Sequence, residues 1–474
     1  MPASRPSPFP ETRIEMTLRL LRSRPWIRAA VLGAGLLAGC SHTPSASTSA
    51  RPTDPRSQAR AYLDAHQPSK ALGLLTELHR QSPDDLDVAR LLTEAHVKAG
   101  QTDAWIAELQ KRIAAGERAV DQYMLGLALF SRARDAGAPT VAAFERATAL
   151  APDTAEFHYR LGLALLESEQ YAEALLPLKQ ATALAPERTA WRLPLAKALH
   201  RTGDAPGAVE ALGAVVRGQP TPAEVATARA LMEQAADPFS GFPKAAEAKL
   251  EEGMRFLKDL DAPQHAILSF EEILLDYPDV AVVHALLGLA YQRLDDAGRA
   301  VDEFKQAIER APSDGKNHFY LGELYLARQR PDAARASFEK AVALHPLLET
   351  AWFHLGDLHL ERRDLRAARE AFLVATSLAP DAVAMRGKLA LVYQLEGDFA
   401  GAERELRRVV EKDPDNMEFS LRLGLLFTEQ ALKASRPEAR KTASSEAERW
   451  LLKVLETQPE NAVASRALQQ LKAQ

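Results

Sequence analysis

The sequence predicts an all-α solenoid of stacked helical hairpins, closed by a terminal capping helix. Three observations carry this. Pro278, Pro312, Pro346, Pro380 and Pro414 follow one another at a fixed step of 34 residues, and a fixed period in the thirties marks an architecture of stacked repeats. Between the prolines, small and large residues return at the same places: Gly288, Gly322 and Gly356 in one row, Phe304, Phe338 and Phe372 in another. Each unit also divides into two apolar-periodic segments, 315–328 and 332–344 in the best-formed unit. Each segment is too short to stand alone as a helix and is apolar on one side.

The residues of one unit explain its shape. Gly322 and Ala334 are small where two antiparallel helices must approach, and Tyr325 and Phe338 are large where they fill the space between neighbours. Pro331 and Asp332 mark the turn between the helices, and Pro346 cannot continue the second one. A single hairpin leaves its apolar face open; stacking against the next hairpin buries it.

The unit 315–348, with Leu321-Gly322, Tyr325, Ala334, Phe338, Ala341 and Pro346 in that order, resembles the tetratricopeptide repeat. Its neighbours read Leu287-Gly288, Tyr291, Ala300, Phe304, Ala307, Pro312 and Leu355-Gly356, His359, Ala368, Phe372, Ala375, Pro380. The resemblance implies a right-handed superhelical solenoid of helix–turn–helix hairpins, whose first helices line a concave, protein-binding face.

Taken from the N-terminus, residues 1–39 read as a leader that is removed. Arg19, Arg22, Arg24 and Arg28 precede an apolar run from Ala29 to Leu37, and the run ends in Leu37-Ala38-Gly39-Cys40. Basic, apolar and small-residue regions in this order make a secretory signal, and the run is shorter than the roughly 20 residues a membrane span needs. Met16 is well placed to be the true start, because residues 1–15 are Pro-rich and add nothing to a signal. The final four residues resemble the lipobox of bacterial lipoproteins. That resemblance implies cleavage before Cys40, acylation of its thiol (palmitate or a similar chain), and an envelope protein facing the periplasm. Ser41, next to the cysteine, points to the outer membrane. Residues 40–55, rich in Ser, Thr, Pro and Ala, read as a flexible tether.

The repeat phase then assigns 52–222 to a first array, in units 52–85, 86–118, 119–154, 155–188 and 189–222. The second of these is divergent and lacks the closing proline. Residues 223–246 interrupt the array with an extra helix over 223–236 and a Pro/Gly-rich kink, Asp237 to Pro243. Phe239 and Phe242 in the kink predict a packed corner; a flexible joint is the alternative. A second array spans 247–461 in six units. The last unit is 11 residues longer than the others, which predicts a surface loop around Ala434–Ser445 carrying Lys433, Arg436, Arg440 and Lys441. Residues 462–474 supply the capping helix over the last apolar face.

Composition excludes several functions. The chain has 59 Lys and Arg against 64 Asp and Glu, a net charge of −5. Its first 39 residues contribute +4, from six Arg and two Glu, so the remainder stands at −9. An acidic body with no basic stripe argues against nucleic-acid binding. Cys40, the single cysteine, rules out an intramolecular disulfide and a multi-cysteine metal site. His354 and His359 stand five apart, a spacing that does not place two ligands on one helical face. His158, His284 and His318 recur at the fourth place of their units and read as packing residues. No phosphate loop and no Gly-x-Ser-x-Gly occurs outside the leader, and repeats leave no room for a catalytic domain. The prediction is a non-enzyme without cofactor, metal or small-molecule substrate.

Binding is expected on the first helices, where the resemblance implies that places 2, 5, 9 and 12 of each unit face the groove. The fifth place holds Tyr123, Tyr159, Phe319 and Phe353; the ninth holds Lys197, Glu323 and Asp357; the twelfth holds Gln292 and Gln394. The Lys/Asn carboxylate clamp of chaperone co-factors is absent, so an acidic C-terminal tail is not the expected ligand. An aromatic and acidic groove suits an extended or helical segment with apolar anchors and positive charge. The same rings also fit half-buried packing between repeats. Together these readings predict a lipid-anchored scaffold that helps assemble or stabilise an envelope complex: a pilus or secretion secretin, polysaccharide export, or cell-wall machinery. The alternative is a non-catalytic subunit that regulates or targets an envelope hydrolase or glycosyltransferase.

Overall fold

The structure, a computed structural model, describes residues 54–133, 137–235, 239 and 242–473. The leader, Cys40 and the tether up to residue 53 lie outside the described residues, as do Asp237, Pro238, Ser240 and Gly241 of the kink.

Among the described residues there are twenty-four α-helices and no strands. The first array pairs α1 (Pro55–Asp64) with α2 (Pro68–Gln81), α3 (Leu86–Lys98) with α4 (Thr102–Ala115), and α5 (Ala119–Ala133) with α6 (Ala138–Leu150). It continues with α7 (Ala155–Glu167) and α8 (Tyr171–Leu184), then α9 (Arg192–Arg201) and α10 (Ala205–Arg217), and ends on the lone α11 (Pro222–Ala235). The second array pairs α12 (Glu247–Lys258) with α13 (Pro263–Asp276), α14 (Ala281–Arg293) with α15 (Ala297–Arg310), and α16 (Gly315–Ala327) with α17 (Pro331–Leu344). Next come α18 (Glu349–Glu361) with α19 (Leu365–Leu378), α20 (Val383–Glu396) with α21 (Phe399–Lys412), and α22 (Met417–Lys433) with α23 (Pro437–Thr457). The final helix, α24 (Ala462–Lys472), packs on that last pair.

Three local devices make each hairpin. At the fifteenth place of nine units the backbone turns left-handed: His66, Glu169, Asp261, Asp295, Gln329 and Arg363 have φ between 45° and 62°, and Gly100, Gly203 and Gly397 between 72° and 86°. One left-handed residue reverses the chain, and only three of the nine are the glycine that adopts it freely. The next residue opens the second helix. Asp204, Asp296, Asp364 and Asp398 each accept a hydrogen bond from the backbone N–H three residues on, while Pro68, Pro263 and Pro331 start other helices where a missing N–H costs nothing. The third device sits at the fourth place, where a side chain donates to the carbonyl of the proline that closes the preceding unit. Examples are His158 Nε2 to Pro152 O at 2.7 Å, Trp352 Nε1 to Pro346 O at 2.8 Å and Arg386 Nε to Pro380 O at 2.9 Å.

In five hairpins the packing centres on one contact. Phe144, Phe270, Phe304, Phe338 and Phe372 are fully buried rings, each packed against a glycine of the facing helix. A Cβ at Gly126, Gly253, Gly288, Gly322 or Gly356 would fall 2.4–2.8 Å from the ring, closer than carbon atoms can approach. Other hairpins put a buried leucine in the phenylalanine row, as at Leu75, Leu178, Leu212, Leu406 and Leu451, and the divergent unit departs furthest. Thr93 stands in the glycine row and Leu109 in the phenylalanine row, and Trp105 fills the extra space, stacked on His96 at 4.0 Å and donating to Thr93 Oγ1 at 3.4 Å.

The last unit corrects the sequence reading. Residues around Ala434–Ser445 do not form a loop; the extra length is helix, with three residues, 434–436, between α22 and α23. Ala443, Ala447 and Leu451 recur every four residues and are buried against α22, beside Ala431 and Phe427, so an apolar stripe carries the helix through the predicted insertion. Lys433 ends α22, Arg436 precedes α23, and Arg440 and Lys441 lie in its first turns.

The two arrays meet side-on. The lone α11 does not stack on α12 as a further repeat; α10 and α11 pack instead against α17, α19 and the turn 345–348. Leu347, Val374 and Leu378 of the second array are buried in one core with Leu212, Val216, Ala228 and Met232 of the first. Gly213 marks the contact: a Cβ built there would lie 3.7 Å from Cβ of Pro346, an ordinary van der Waals distance. Arg229 spans the seam, with its guanidinium 3.2 Å from Glu349 Oε2 and donating to Leu378 O at 3.3 Å. Phe239, buried, meets Phe242 edge-on at 6.4 Å and joins the core of the second array with Ala246 and Leu250.

Candidate protein-binding groove

The first helices of successive hairpins carry the predicted groove residues, and burial divides them. Tyr123 has no exposed surface; its ring is wedged between Phe144 and Phe157, at centroid distances of 6.4 and 5.3 Å. Burial and the carboxylate of Glu156 push its phenol well above the ordinary range. Tyr123 is therefore core and offers a ligand nothing. Phe319 is likewise buried, against Phe338 at 5.9 Å and Tyr320 at 5.6 Å. For these two rings the packing reading replaces the groove reading. Tyr159 and Phe353 remain half-buried. Tyr159 lies flat on Trp191 at 4.3 Å, and Phe353 packs on Phe372 at 5.7 Å with its remaining surface open.

The charges are less free than the sequence implies. Glu323 is buried, and His354 Nε2 of the next unit approaches its Oε1 at 3.8 Å. Asp357 is met by Lys388 Nζ of the following unit at 2.7 Å. Each pair joins the ninth place of one unit to the sixth place of the next, so these pairs run as a ladder across α16, α18 and α20. The expected acidity of this stretch is largely neutralised within the protein. Lys197, on α9, is half-buried and lies in the other array.

Three leucines missed by the sequence reading complete the surface. The 34-residue step from Glu323 and Asp357 leads to Leu391 and then Leu425. Leu391 is exposed and Leu395, one turn on, is 54% exposed, both on α20 beside the Asp357–Lys388 pair; Leu425 is half-buried on α22. Following the step, rather than selecting charged and aromatic types, was the available signal. The fifth place gives Gly387 at the same step, and it is bare because Phe419 of the next unit occupies the space, 2.5 Å from where a Cβ would be.

The histidines serve structure. His354 stacks on Phe338 at 5.0 Å, His158 binds the Pro152 carbonyl, and burial lowers the pKa of His318. Among the described residues no group of three or more His, Cys, Asp or Glu is placed to hold a metal ion, and no helix is long and apolar enough to cross a membrane.

Tetratricopeptide-repeat family models match residues 127–188, 285–349, 321–383 and 388–462, and a further one matches 165–232. The chain is a tetratricopeptide-repeat protein. Units 52–85 and 86–118, outside those matches, fold as hairpins of the same kind. No curated protein matches the sequence. Among solved structures the repeat array is similar to YrrB, described as having an unusual peptide-binding site, at 19% identity over 42% of this chain and 96% of that one, with a TM-score of 0.37. It is similar to PilF of Pseudomonas aeruginosa at 17% identity over 48% of this chain and 97% of that one, TM-score 0.38. The Cut9–Hcn1 tetramer gives 13% identity over 88% of this chain and 95% of that one, TM-score 0.34. Tetratricopeptide repeats are scaffolds for protein–protein interaction, and that is the class of this chain.

Proposed function

We propose that the protein is a lipid-anchored scaffold of the bacterial envelope, held by an acylated Cys40 and facing the periplasm from the outer membrane. Its second array takes an extended or helical segment of an envelope protein, in the assembly or stabilisation of a larger complex. The observation that carries the binding half is the apolar run Phe353, Leu391 and Leu395, left uncovered on consecutive first helices while the interior rings are sealed. Apolar side chains held at fixed spacing on a rigid helical surface are the usual anchor points for a partner segment. The lipobox-like Leu37-Ala38-Gly39-Cys40 supports the envelope half. With Asp357 paired and Glu323 buried, recognition rests on apolar anchors more than on positive charge in the partner.

In-cell crosslinking of the tagged protein, followed by mass spectrometry, tests the groove. One envelope protein captured by the natural chain and lost from a Phe353→Ala/Leu391→Ala variant is the expected result; capture that survives the variant overturns it. Metabolic labelling with a fatty acid tests the anchor, with label expected on the natural chain and absent from Cys40→Ser. An unlabelled natural chain removes the envelope assignment while leaving the groove standing.

A further inference from the structure

Charge is unevenly distributed along the second array, and two of its surfaces complement each other. The hairpin α12–α13 carries nine Asp and Glu against three Lys and Arg within 247–280. On its outer side α13 exposes Leu268 by 59% and Leu275 by 84%, with Leu260 in the preceding turn also exposed. Leu268, Glu271, Glu272 and Leu275 fall at i, i+3, i+4 and i+7, hence on one helical face. Glu271 accepts from the Tyr291 hydroxyl at 3.2 Å and Glu272 pairs with Lys249 at 2.5 Å, yet the unit keeps its large acidic excess. The lone α11 packs on α9, α10 and α19 and does not stack on α12, and among the described residues no helix other than the neighbouring α12 and α14 packs closely on α13.

The opposite chemistry stands at the far end. The α22–α23 hairpin is longer than its neighbours, 17 and 21 residues against 13 or 14 for the helices of most other units. At about 1.5 Å of rise per residue the excess projects its turn by roughly 6–10 Å beyond the stack. That projecting turn carries Lys433, Arg436, Arg440 and Lys441 with Glu438 as its one acid, all exposed, beside the 42% exposed Leu432. Lys433 is paired to Glu429 at 2.7 Å; Arg436 and Lys441 make no ion pair among the described residues. Four complete hairpins, 281–416, separate the two surfaces, so one copy cannot bring them together.

We infer that the basic, leucine-bearing tip of the α22–α23 hairpin docks on the acidic leucine face of α13 in a second copy of this chain. The surfaces differ, so the contact is head-to-tail, and a head-to-tail contact that does not close into a ring extends into a chain of copies. Leucine against leucine supplies the apolar centre and the flanking charges fix the register. The docking is independent of the groove on the first helices.

Sedimentation velocity on the full chain, across protein concentration, tests this at about 0.05 M and about 0.5 M salt, where screening of exposed charges differs strongly. At low salt the mass is expected to rise above the 51.9 kDa monomer with concentration, and to fall back at high salt. Arg436→Glu/Arg440→Glu and Glu271→Lys/Glu272→Lys each abolish association alone, and one chain carrying all four changes recovers it. Leu275→Ser abolishes it without loss of helical signal, and Phe353→Ala/Leu391→Ala leaves it intact. A monomer under every condition overturns the proposal. So does association that survives reversal of the tip, which assigns the acidic face to another occupant, or that survives Leu275→Ser.

Discussion

Two kinds of interface hold this protein together, and they are built differently. Within an array, hairpins are closed by a buried phenylalanine or leucine at one fixed place, in five units a phenylalanine packed on a glycine, and several units are tied to the last by a fourth-place side chain on a proline carbonyl. Between the arrays, the seam at Gly213, Arg229, Pro346, Leu347 and Leu378 uses residues at no common place in the repeat. Repetition makes the first kind sequence-periodic, because every unit solves the same packing problem. The seam solves a problem that occurs once. The stack should therefore be costly to break and the seam separable, with helices intact on both sides.

The largest effect is expected within the stack. Phe338→Ala removes a fully buried ring and should cost about 3–5 kcal/mol, in line with large-to-small changes in cores. Urea unfolding followed by circular dichroism reads it. Gly322→Ala attacks the same contact from the other side by pushing a methyl group within 2.8 Å of the ring, and overpacking of this kind costs about 1–3 kcal/mol. A cost near zero for both variants removes the glycine–phenylalanine contact from its central place.

A seam variant should separate the arrays at smaller cost to helix content. Leu347→Asp puts a charge into the shared core beside Val374 and Leu378, where an unpaired charge is strongly disfavoured. Small-angle scattering should report a larger radius of gyration with unchanged far-ultraviolet dichroism. Loss of helical signal in step with expansion denies that the seam is separable.

Acid should weaken the region of the seam next. His345, one residue before Pro346, has a buried Nδ1 without a partner. Burial, reinforced by the charge of Lys316, holds its pKa at about 3. The unfolded chain takes up this proton near pH 6.5, and the folded one refuses it until about pH 3. The stability contributed is full above about pH 6.5 and is lost as pH falls through that window. His79, His96 and His318 are lowered by burial in the same direction. The unfolding free energy from urea titration should drop between pH 7 and pH 4.5 by up to about 1.4 kcal/mol per pH unit for His345, and His345→Gln should shallow the slope.

The smallest effect concerns the turns. Gln329→Gly relieves a left-handed residue with φ of 56°, a conformation costing side-chain-bearing residues about 1 kcal/mol, against the greater freedom glycine gives the unfolded chain. A gain of about a few tenths of a kcal/mol in the unfolding free energy from urea titration is expected, and a loss contradicts the strain.

Those turns show how far the sequence could be read. The hairpins, their order, the extra helix before the kink and the capping helix all follow from the proline step and the Gly and Phe rows. The left-handed fifteenth place did not, because six of nine residues there are His, Glu, Asp, Gln or Arg, which give no compositional sign of the backbone they adopt. The helical α22–α23 extension was misread as a loop because length alone does not show that Ala443, Ala447 and Leu451 continue a buried stripe. At the groove, residue type misled: Tyr123 and Phe319 share a place with Tyr159 and Phe353, and only packing decides which rings are sealed. Beyond the packed corner expected from Phe239 and Phe242, the sequence does not show which residues form the seam, since Gly213 and Pro346 look like ordinary members of their own repeats.

The side-on seam is the central claim, and the chain offers a direct test, since Cys40 is its single cysteine. A Cβ at Gly213 lies 3.7 Å from Cβ of Pro346, within the spacing of about 3.5–4.5 Å that a disulfide bridges. Oxidation of the Gly213→Cys/Pro346→Cys variant, in a Cys40→Ser background, should form an intramolecular bond quantitatively, seen as faster migration on a non-reducing gel and mapped by mass spectrometry. Two thiols that stay free under mild oxidation, with the protein folded, would show that the arrays do not meet there.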